Sequence, residues 1–190
     1  ATWLTAAEKL QLERYTFEKR RNEWFLGRIC AKQSTIELLA RLGIKPITPQ
    51  EITIAVGTSG TPYLKLPEIK GLERIPDISI SHSHGKVIGL AGNCHCGIDI
   101  QLLTDTLFKV RDRFCSEPER ALLTETTEDE LAQLGMLWVA KEAIRKSLEH
   151  TRPAGFLTMR LNEVRRTQGY WLLDFHLDDY DGGPGVFSTV

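Results

Sequence analysis

The sequence predicts an α+β protein built from two halves, residues 1–95 and 96–190. The main observation is a pattern that occurs twice, in which residues that favour helix are followed by segments rich in β-forming residues. The second observation is the length, because 190 residues are enough for one domain or for two small fused halves. Separate helical and strand regions are typical of α+β architectures, although no convincing sequence repeat relates the halves.

The first half is predicted to begin with helix. Residues 5–42 contain few helix breakers, which indicates one long helix or two abutting helices. Gly43 and Pro46 are expected to end this helical region. An apolar stripe supports the assignment and consists of Phe25, Ile29, Ile36 and Leu39.

Strands are predicted to follow this helix. Residues 52–56 are rich in β-forming side chains and run into a turn signal around Gly60, after which a proline-rich stretch is expected to form a loop. Two further strands, residues 78–83 and 86–91, are predicted to be joined by a tight turn at His84-Gly85.

The second half is predicted to repeat this order with a longer helix. A strand is expected at residues 98–102, followed by helical segments at residues 106–114 and 117–124 and a long helix at residues 128–149. Three strand-like runs close the chain, near residues 156–161, 170–176 and 186–189.

Composition indicates an ordinary globular protein. Hydrophobic residues make up 42% of the chain and charged residues 26%, and a formal net charge of −1 gives no reason to expect nucleic acid or a membrane as partner. No apolar run approaches the roughly 20 residues that span a bilayer, and the first residues have no leader character. Four scattered cysteines suit a reducing compartment, so a cytoplasmic location is expected. The initial Ala also allows the chain to be one domain of a larger synthase.

Three polar segments carry the candidate chemistry. On a strand, Asp99 and Gln101 would share one face, with isoleucines on the other. On a helix, Trp138, Glu142 and Lys146 recur every four residues and would line one flank. The third segment, Ser79-Ile80-Ser81-His82-Ser83, adds hydroxyls and an imidazole. Together they offer acids for a metal ion and donors for phosphate oxygens.

In this order, the Ser-His-Ser, Gly-Ile-Asp-Ile-Gln and Trp-x-x-Lys-Glu-Ala-x-x-Lys segments resemble the motifs of the 4′-phosphopantetheinyl transferases. The similarity is to the surfactin-synthetase-activating type rather than to the short trimeric holo-acyl-carrier-protein synthases. It implies two similar α/β halves that form a pseudo-dimer, with a coenzyme A-binding basic helix in the first half and the metal-binding acids in the second. It also implies Mg²⁺-dependent transfer of the phosphopantetheine arm of coenzyme A to a serine of an acyl or peptidyl carrier protein, with release of 3′,5′-ADP.

The resemblance implies a role for each matching residue. Asp99, Glu142 and Lys146 are the expected catalytic residues, and Asp99, Gln101 and Glu142 are the expected metal ligands. A hard cation suits the reaction because negative charge develops on the diphosphate of the donor. Glu142 would also act as general base or position a water that takes the serine proton. The expected coenzyme A-binding residues are Arg21, Arg28, Lys32, Gly60, Ser81, His82, Lys141 and Lys146.

Two positions depart from the common pattern of the family. Gln101 stands where glutamate is usual, and its amide carries no charge to neutralise a metal ion. Thr61 stands where many members have lysine, so the 3′-phosphate would depend more on the basic helix. Arg21, Arg28 and Lys32 fall at i, i+7 and i+11 and are expected to share a face of that helix.

Other interpretations remain open from the residues alone. Each motif in isolation is more often a solvated or packed segment than a site, and Trp138 is expected to pack. The group His82, His84, Cys94, His95 and Cys96 could suggest zinc, but its spacing does not match a closed site. A second hypothesis is a transferase-like module that binds carrier domains or coenzyme A without turnover. In either case we expect a monomer, with residues 108–114, including Val110, Arg111 and Arg113, as the carrier-docking segment and Phe114 as equally suited to the core.

Overall fold

The computed structural model describes residues 3–148 and 155–178 and the backbone of residues 186–189. The chain divides into two compact units, Ala1–Ile100 and Gln101–Val190. Both contain helices and small antiparallel sheets, as expected for an α+β protein. None of the helices in the described residues is long and apolar enough to cross a membrane.

The helical start of the first unit consists of two helices rather than one. Helix α1 spans Ala6–Leu12 and helix α2 spans Glu18–Arg41. The break lets Glu8 of α1 meet Lys32 of α2, with 2.5 Å between Oε2 and Nζ. One continuous helix would hold residues 24 positions apart about 36 Å from each other, so this contact requires the chain to turn back.

Two antiparallel hairpins complete the first unit. Strand β1 (Thr53–Val56) pairs with β2 (Pro62–Lys65), and β3 (Asp77–Ser83) pairs with β4 (Lys86–Gly92). The β3–β4 turn has positive φ at both central positions, His84 and Gly85, which is the geometry of the two-residue turn predicted there. The core of this unit is formed by Ala31, Ile52, Ile54, Leu64 and Ile78.

Helix α2 lies very close to strand β4. A Cβ atom added to Gly89 would lie 2.7 Å from the backbone nitrogen of Ala31, so a side chain at this position would push the helix away. Ser34 Oγ donates to the carbonyl oxygen of Gly89 at 2.9 Å and fixes the helix over the strand. Helix α2 therefore covers one face of the β3–β4 hairpin, and the opposite face is available for contacts with other residues of the same unit.

The second unit packs helices on a three-stranded antiparallel sheet. Its helices are α3 (Thr106–Val110), α4 (Glu117–Leu123) and α5 (Glu130–Ser147), with a 3-10 helix at Arg111–Arg113. Its strands are β5 (Met159–Thr167), β6 (Tyr170–Leu177) and β7 (Val186–Thr189), in the order β5-β6-β7. Helix α5 begins after the N-cap Asp129, whose carboxylate accepts from Leu131 N. The predicted helix end at Glu149 lies outside the described residues.

The strand predicted at residues 98–102 is wrong. Residues 97–104 form no regular secondary structure. Instead of pairing with another backbone, Ile98 N donates to Ser79 Oγ at 3.1 Å and Ile100 N donates to Ser81 Oγ at 3.3 Å. Serine hydroxyls thus take the place of the carbonyl groups of a neighbouring strand, and the alternating pattern of this segment reflects that contact.

The two units share one buried arrangement that the sequence did not reveal. In the first unit Glu8 lies in a capping box with Thr5, and its Oε1 accepts from Ile54 N of strand β1 at 3.0 Å. Its partner Lys32 is fully buried. The Lys32 ammonium donates to Glu8 Oε2 (2.5 Å), Trp3 O (2.8 Å) and Pro49 O (2.9 Å).

The second unit repeats this arrangement part for part. Glu119 lies in a capping box with Ser116, and its Oε1 accepts from Leu161 N of strand β5 at 3.1 Å. Lys141 is fully buried on the long helix, as Lys32 is on α2. Its ammonium donates to Glu119 Oε1 (2.6 Å), Phe114 O (2.7 Å) and Phe156 O (3.0 Å). In both units one carbonyl lies two residues before the N-cap and the other begins a 3-10 helix that leads to the bonded strand.

Candidate functional site

Strand β3 places two expected ligand-binding residues on opposite faces. Side chains alternate along a strand, so Ser79 and Ser81 point to one side while Ile80 and His82 point to the other. Ile80 packs towards helix α2, where a Cβ on Gly27 would come within 3.1 Å of its Cγ2 atom. The expectation that Ser81 and His82 both donate to the phosphates of coenzyme A stays a prediction.

On the serine face, Ser81 holds Asp99. Ser81 is 5% exposed, and its Oγ donates to Asp99 Oδ1 at 2.6 Å while accepting from Ile100 N. A hydroxyl has a single proton to donate, so this bond uses the donor that Ser81 would offer to a phosphate. In this arrangement Ser81 holds the acid, and its expected role as a phosphate donor stays a prediction.

On the helix face, His82 lies beside an acid that sequence reasoning missed. Glu23 of helix α2 is 8% exposed, and its Oε2 lies 3.6 Å from His82 Nδ1. Arg20 Nη1 approaches the same carboxylate oxygen at 3.9 Å. The His82 side chain keeps 41% of its surface exposed, so its ring remains accessible to a ligand while one nitrogen faces Glu23. Glu23 lies four residues before Gly27 and eight before Ala31, both buried on the same helix, and this helical spacing is the signal that the sequence offers.

Helix α5 carries the second acid of the expected site. Glu142 is partly buried, and its Oε1 accepts from Arg145 Nη1 at 3.2 Å. The Arg145 guanidinium also lies over the Phe156 ring, 4.9 Å from its centroid. Lys146 follows Glu142 by one helical turn on the same helix, as predicted. Trp138, one turn earlier, packs between the rings of Phe114 and Phe156, with centroids 5.1 Å away in each case.

Lys32 and Lys141 were expected to bind coenzyme A, but each forms a buried ion pair inside its own unit. Lys32 and Lys141 are both fully buried, and each donates three hydrogen bonds within its own unit. An ammonium has three N–H groups, so neither residue has one left for a phosphate. Burial lowers the pKa of both lysines, and the bond to the glutamate partner acts in the opposite direction. The predicted coenzyme A-binding roles of Lys32 and Lys141 are therefore corrected.

The basic residues that were predicted to share a face of helix α2 differ in their solvent exposure. Arg21 is exposed, whereas Arg28 is 7% exposed and its guanidinium lies 3.9 Å from the centroid of the Trp24 ring. Burial lowers the pKa of Arg28, and its Nε atom has no hydrogen-bond partner in the described structure. Arg21 and Arg28 remain candidates for an anion, since one is accessible and the other holds a buried donor.

The turn between β1 and β2 is built from Gly60 and its neighbours. Gly60 has φ +89°, a conformation that favours glycine, and its N–H donates to the carbonyl oxygen of Gly57. Thr61 is buried, and its hydroxyl lies 2.8 Å from Ser59 Oγ. The side chain at position 61 thus points into the turn.

The three expected metal ligands have oxygen atoms that suit Mg²⁺. Asp99 belongs to the first unit, and Gln101 and Glu142 belong to the second. The amide nitrogen of Gln101 donates to the Leu102 carbonyl oxygen at 3.1 Å, and its Oε1 is the amide atom that has lone pairs to offer a cation. Two carboxylates and one amide oxygen fit a hard cation that keeps several water ligands. Among the described residues no group of three or more His, Cys, Asp or Glu side chains could hold a metal ion.

The other candidate groups take ordinary structural positions. His95 Nδ1 lies 2.7 Å from Asp77 Oδ2, and Cys96 Sγ lies 3.6 Å from the Asp77 carbonyl oxygen. In the predicted docking segment Phe114 is fully buried, so it belongs to the core and not to a docking surface. Arg111 pairs with Glu130 at 3.5 Å.

Comparison with known protein families gives a match to the second half of the chain. Residues 95–180 match the ACPS family model, which represents the 4′-phosphopantetheinyl transferase superfamily. The matched segment is somewhat less than half of the chain, includes Asp99, Gln101, Glu142 and Lys146, and begins after the Ser-His-Ser segment. No curated protein matches the chain. The second half of the chain is therefore similar to the superfamily that its motifs resemble.

Proposed function

We propose that the protein is a 4′-phosphopantetheinyl transferase of the surfactin-synthetase-activating type. It transfers the phosphopantetheine arm of coenzyme A to a serine of an acyl or peptidyl carrier protein and releases 3′,5′-ADP, as holo-[acyl-carrier-protein] synthases do. The observation that carries the proposal is that the family match contains both acidic motifs in the family's order. The proposal includes a pseudo-dimer of residues 1–95 and 96–190, a monomeric state and a cytoplasmic location, with no nucleic acid or membrane as partner.

The repeated ion pair supports the pseudo-dimeric type. A trimer of short chains would supply each half from a separate subunit, whereas this chain carries the same buried lysine and capping glutamate in both units. The same hydrogen bonds occur at equivalent positions of the helix, the cap and the strand in both units. This similarity is more specific evidence for two related halves than a shared fold class.

In the proposed site, Asp99, Gln101 and Glu142 would hold Mg²⁺, and the ion would neutralise negative charge on the diphosphate of coenzyme A. Glu142 takes the proton of the attacking serine hydroxyl, directly or through a water. Its Oε1 accepts a hydrogen bond from Arg145 Nη1 at 3.2 Å, which orients the carboxylate. Lys146, one turn along the same helix and only partly buried, would offset the charge of the departing 3′,5′-ADP.

Residues of the first unit bind the nucleotide part of coenzyme A in this proposal. His82 is accessible and faces Glu23, so a protonated ring would present its other nitrogen to a phosphate. Arg21 and Arg28 supply positive charge from helix α2, and Gly60 allows a close approach of backbone to the ligand. Lys32 and Lys141 are left out of this set because both are committed to the internal ion pairs.

A second candidate is a module that binds coenzyme A or carrier domains without turnover. Gln101 favours it, because an amide in place of a carboxylate removes a negative charge from the metal site. Thr61 favours it too, since a buried threonine offers no positive charge to a phosphate. The retained acids Asp99 and Glu142 favour the enzyme.

The test is incubation of the full chain with an apo carrier protein, coenzyme A and Mg²⁺. The mass of the carrier should increase by that of the phosphopantetheine arm, and a variant carrier without the acceptor serine should show no increase. Asp99→Ala and Glu142→Ala should abolish transfer while the circular dichroism spectrum stays unchanged, because neither side chain fills a core. Coenzyme A binding without any mass increase would support the module instead.

A further inference from the structure

We propose that Ser81 is a positioning residue for Asp99, whose carboxylate its hydroxyl orients towards the divalent cation of the proposed transferase. This inference rests on the proposed function, since the cation is part of that proposal. Its structural basis is the 2.6 Å bond from Ser81 Oγ to Asp99 Oδ1. Ser81 is 5% exposed, so the bond is shielded from competing water.

The backbone around Asp99 is held by the same strand. Ile98 N donates to Ser79 Oγ at 3.1 Å, and Ile100 N donates to Ser81 Oγ at 3.3 Å. Asp99 therefore lies between two anchored amides in a segment without regular secondary structure. Ser79 contributes only to the backbone, whereas Ser81 fixes both the backbone and the carboxylate of Asp99.

This difference between the two serines has a chemical consequence. A carboxylate that binds a metal ion loses affinity when the group that orients it is removed, by about 10- to 100-fold. Ser81 should therefore affect metal affinity, and Ser79 should affect it much less. If Ser81 instead donated to a phosphate of coenzyme A, its removal would weaken coenzyme A binding in the absence of any metal ion.

The experiment compares the full-length wild type with Ser81→Ala, Ser79→Ala and Ser81→Thr. Mn²⁺ serves as the probe, and its binding is measured by electron paramagnetic resonance in the presence of saturating coenzyme A. Coenzyme A binding without metal is measured by calorimetry. We expect Ser81→Ala to weaken Mn²⁺ binding by about 10- to 100-fold, Ser79→Ala to stay near wild type and Ser81→Thr to recover the affinity, because threonine keeps the hydroxyl.

Each other outcome counts against the inference. Equal weakening by both alanine variants would show a general role in holding the loop, and a loss of metal-free coenzyme A binding with unchanged Mn²⁺ affinity would show a phosphate donor. If Ser81→Ala does not fold, Ser81→Cys replaces it, because the thiol keeps the volume and is a weaker donor. A wild type that transfers while Ser81→Ala binds Mn²⁺ normally would refute this inference alone. A wild type that neither transfers nor binds Mn²⁺ would refute the proposed function as well.

Discussion

Replacement of Lys141 by methionine tests whether this lysine stabilises the fold or binds coenzyme A. The Lys141 ammonium donates to Glu119 at 2.6 Å and to the carbonyl oxygens of Phe114 and Phe156. Methionine fills a similar volume but has no donor, so the variant keeps a buried carboxylate without its cation and two carbonyl oxygens without this partner. Removal of one member of a buried ion pair costs about 3–5 kcal/mol.

This loss should appear as a lower melting temperature. For a protein of this size about 2–4 °C is lost per kcal/mol, so the transition of the second unit should fall by about 6–20 °C. The assay is thermal and urea unfolding followed by circular dichroism, with Lys146→Met as the matched control. Lys146 lies one turn past Glu142 on the same helix and is only partly buried, so its replacement should cost much less stability than that of Lys141 while weakening coenzyme A binding.

The opposite result would refute this reasoning. If Lys141→Met unfolds like the wild type and binds coenzyme A more weakly, then Lys141 contacts the ligand and the observed ion pair does not stabilise the unit. A large stability loss with normal coenzyme A affinity at a temperature where the variant is folded would support the structural role.

Four further predictions follow from other parts of the structure. Lys32→Met should lower the melting temperature of the first unit by a similar amount, as measured by the same unfolding assay, because its ammonium makes three equivalent bonds. Gly89→Ala should destabilise the first unit by about 1–3 kcal/mol in urea unfolding, since its Cβ would lie 2.7 Å from the backbone of helix α2. Gln101→Glu should preserve or raise transfer at low Mg²⁺ in the carrier assay, and a large loss would show that the amide has a role of its own. Burial raises the pKa of Cys115 to about 11, so a maleimide at pH 8 should label exposed Cys94 quickly and Cys115 slowly, as followed by peptide mass spectrometry.

The same pKa shift has a consequence for stability. The folded-state pKa of Cys115 lies above the value of 9.0 that applies to the unfolded chain. The native state therefore holds its proton more tightly, and this contribution to stability is complete below pH 9 and is lost as the pH rises towards 11. Cys115→Ala should weaken the fall in stability between these pH values in urea titrations.

Most secondary structure could be predicted because its signals are local. The β3–β4 turn follows from His84-Gly85, where glycine tolerates the positive φ that a two-residue turn needs. Helix α2 ends where Gly43 takes φ +73°, as the sequence indicated. In contrast, the strand predicted around Asp99 was wrong because its backbone bonds to serine side chains, and no sequence pattern distinguishes those bonds from a strand ladder.

The buried ion pairs could not be predicted from hydrophobic periodicity. Lysine is rarely buried, so Lys32 and Lys141 were assigned to ligand-binding surfaces. A usable signal existed in the capping boxes, because Thr5-x-x-Glu8 and Ser116-x-x-Glu119 each precede a helix that contains an Ala-Lys pair. The sequence does not show that each glutamate binds both its helix cap and a lysine of another helix. Only the tertiary contacts show this.

The departure at position 101 is more consistent with a weakened metal site than with a lost one. The Gln101 amide nitrogen donates to the Leu102 carbonyl oxygen, a bond that a glutamate side chain could not make. This bond orients the Gln101 side chain and gives its amide oxygen a preferred direction. Because the amide carries no charge, it attracts a cation less strongly than a carboxylate would. Asp99 is held independently by Ser81. The proposed site, with two carboxylates and one neutral ligand, should therefore need more Mg²⁺ than a site with three acids, but should still turn over at saturating metal.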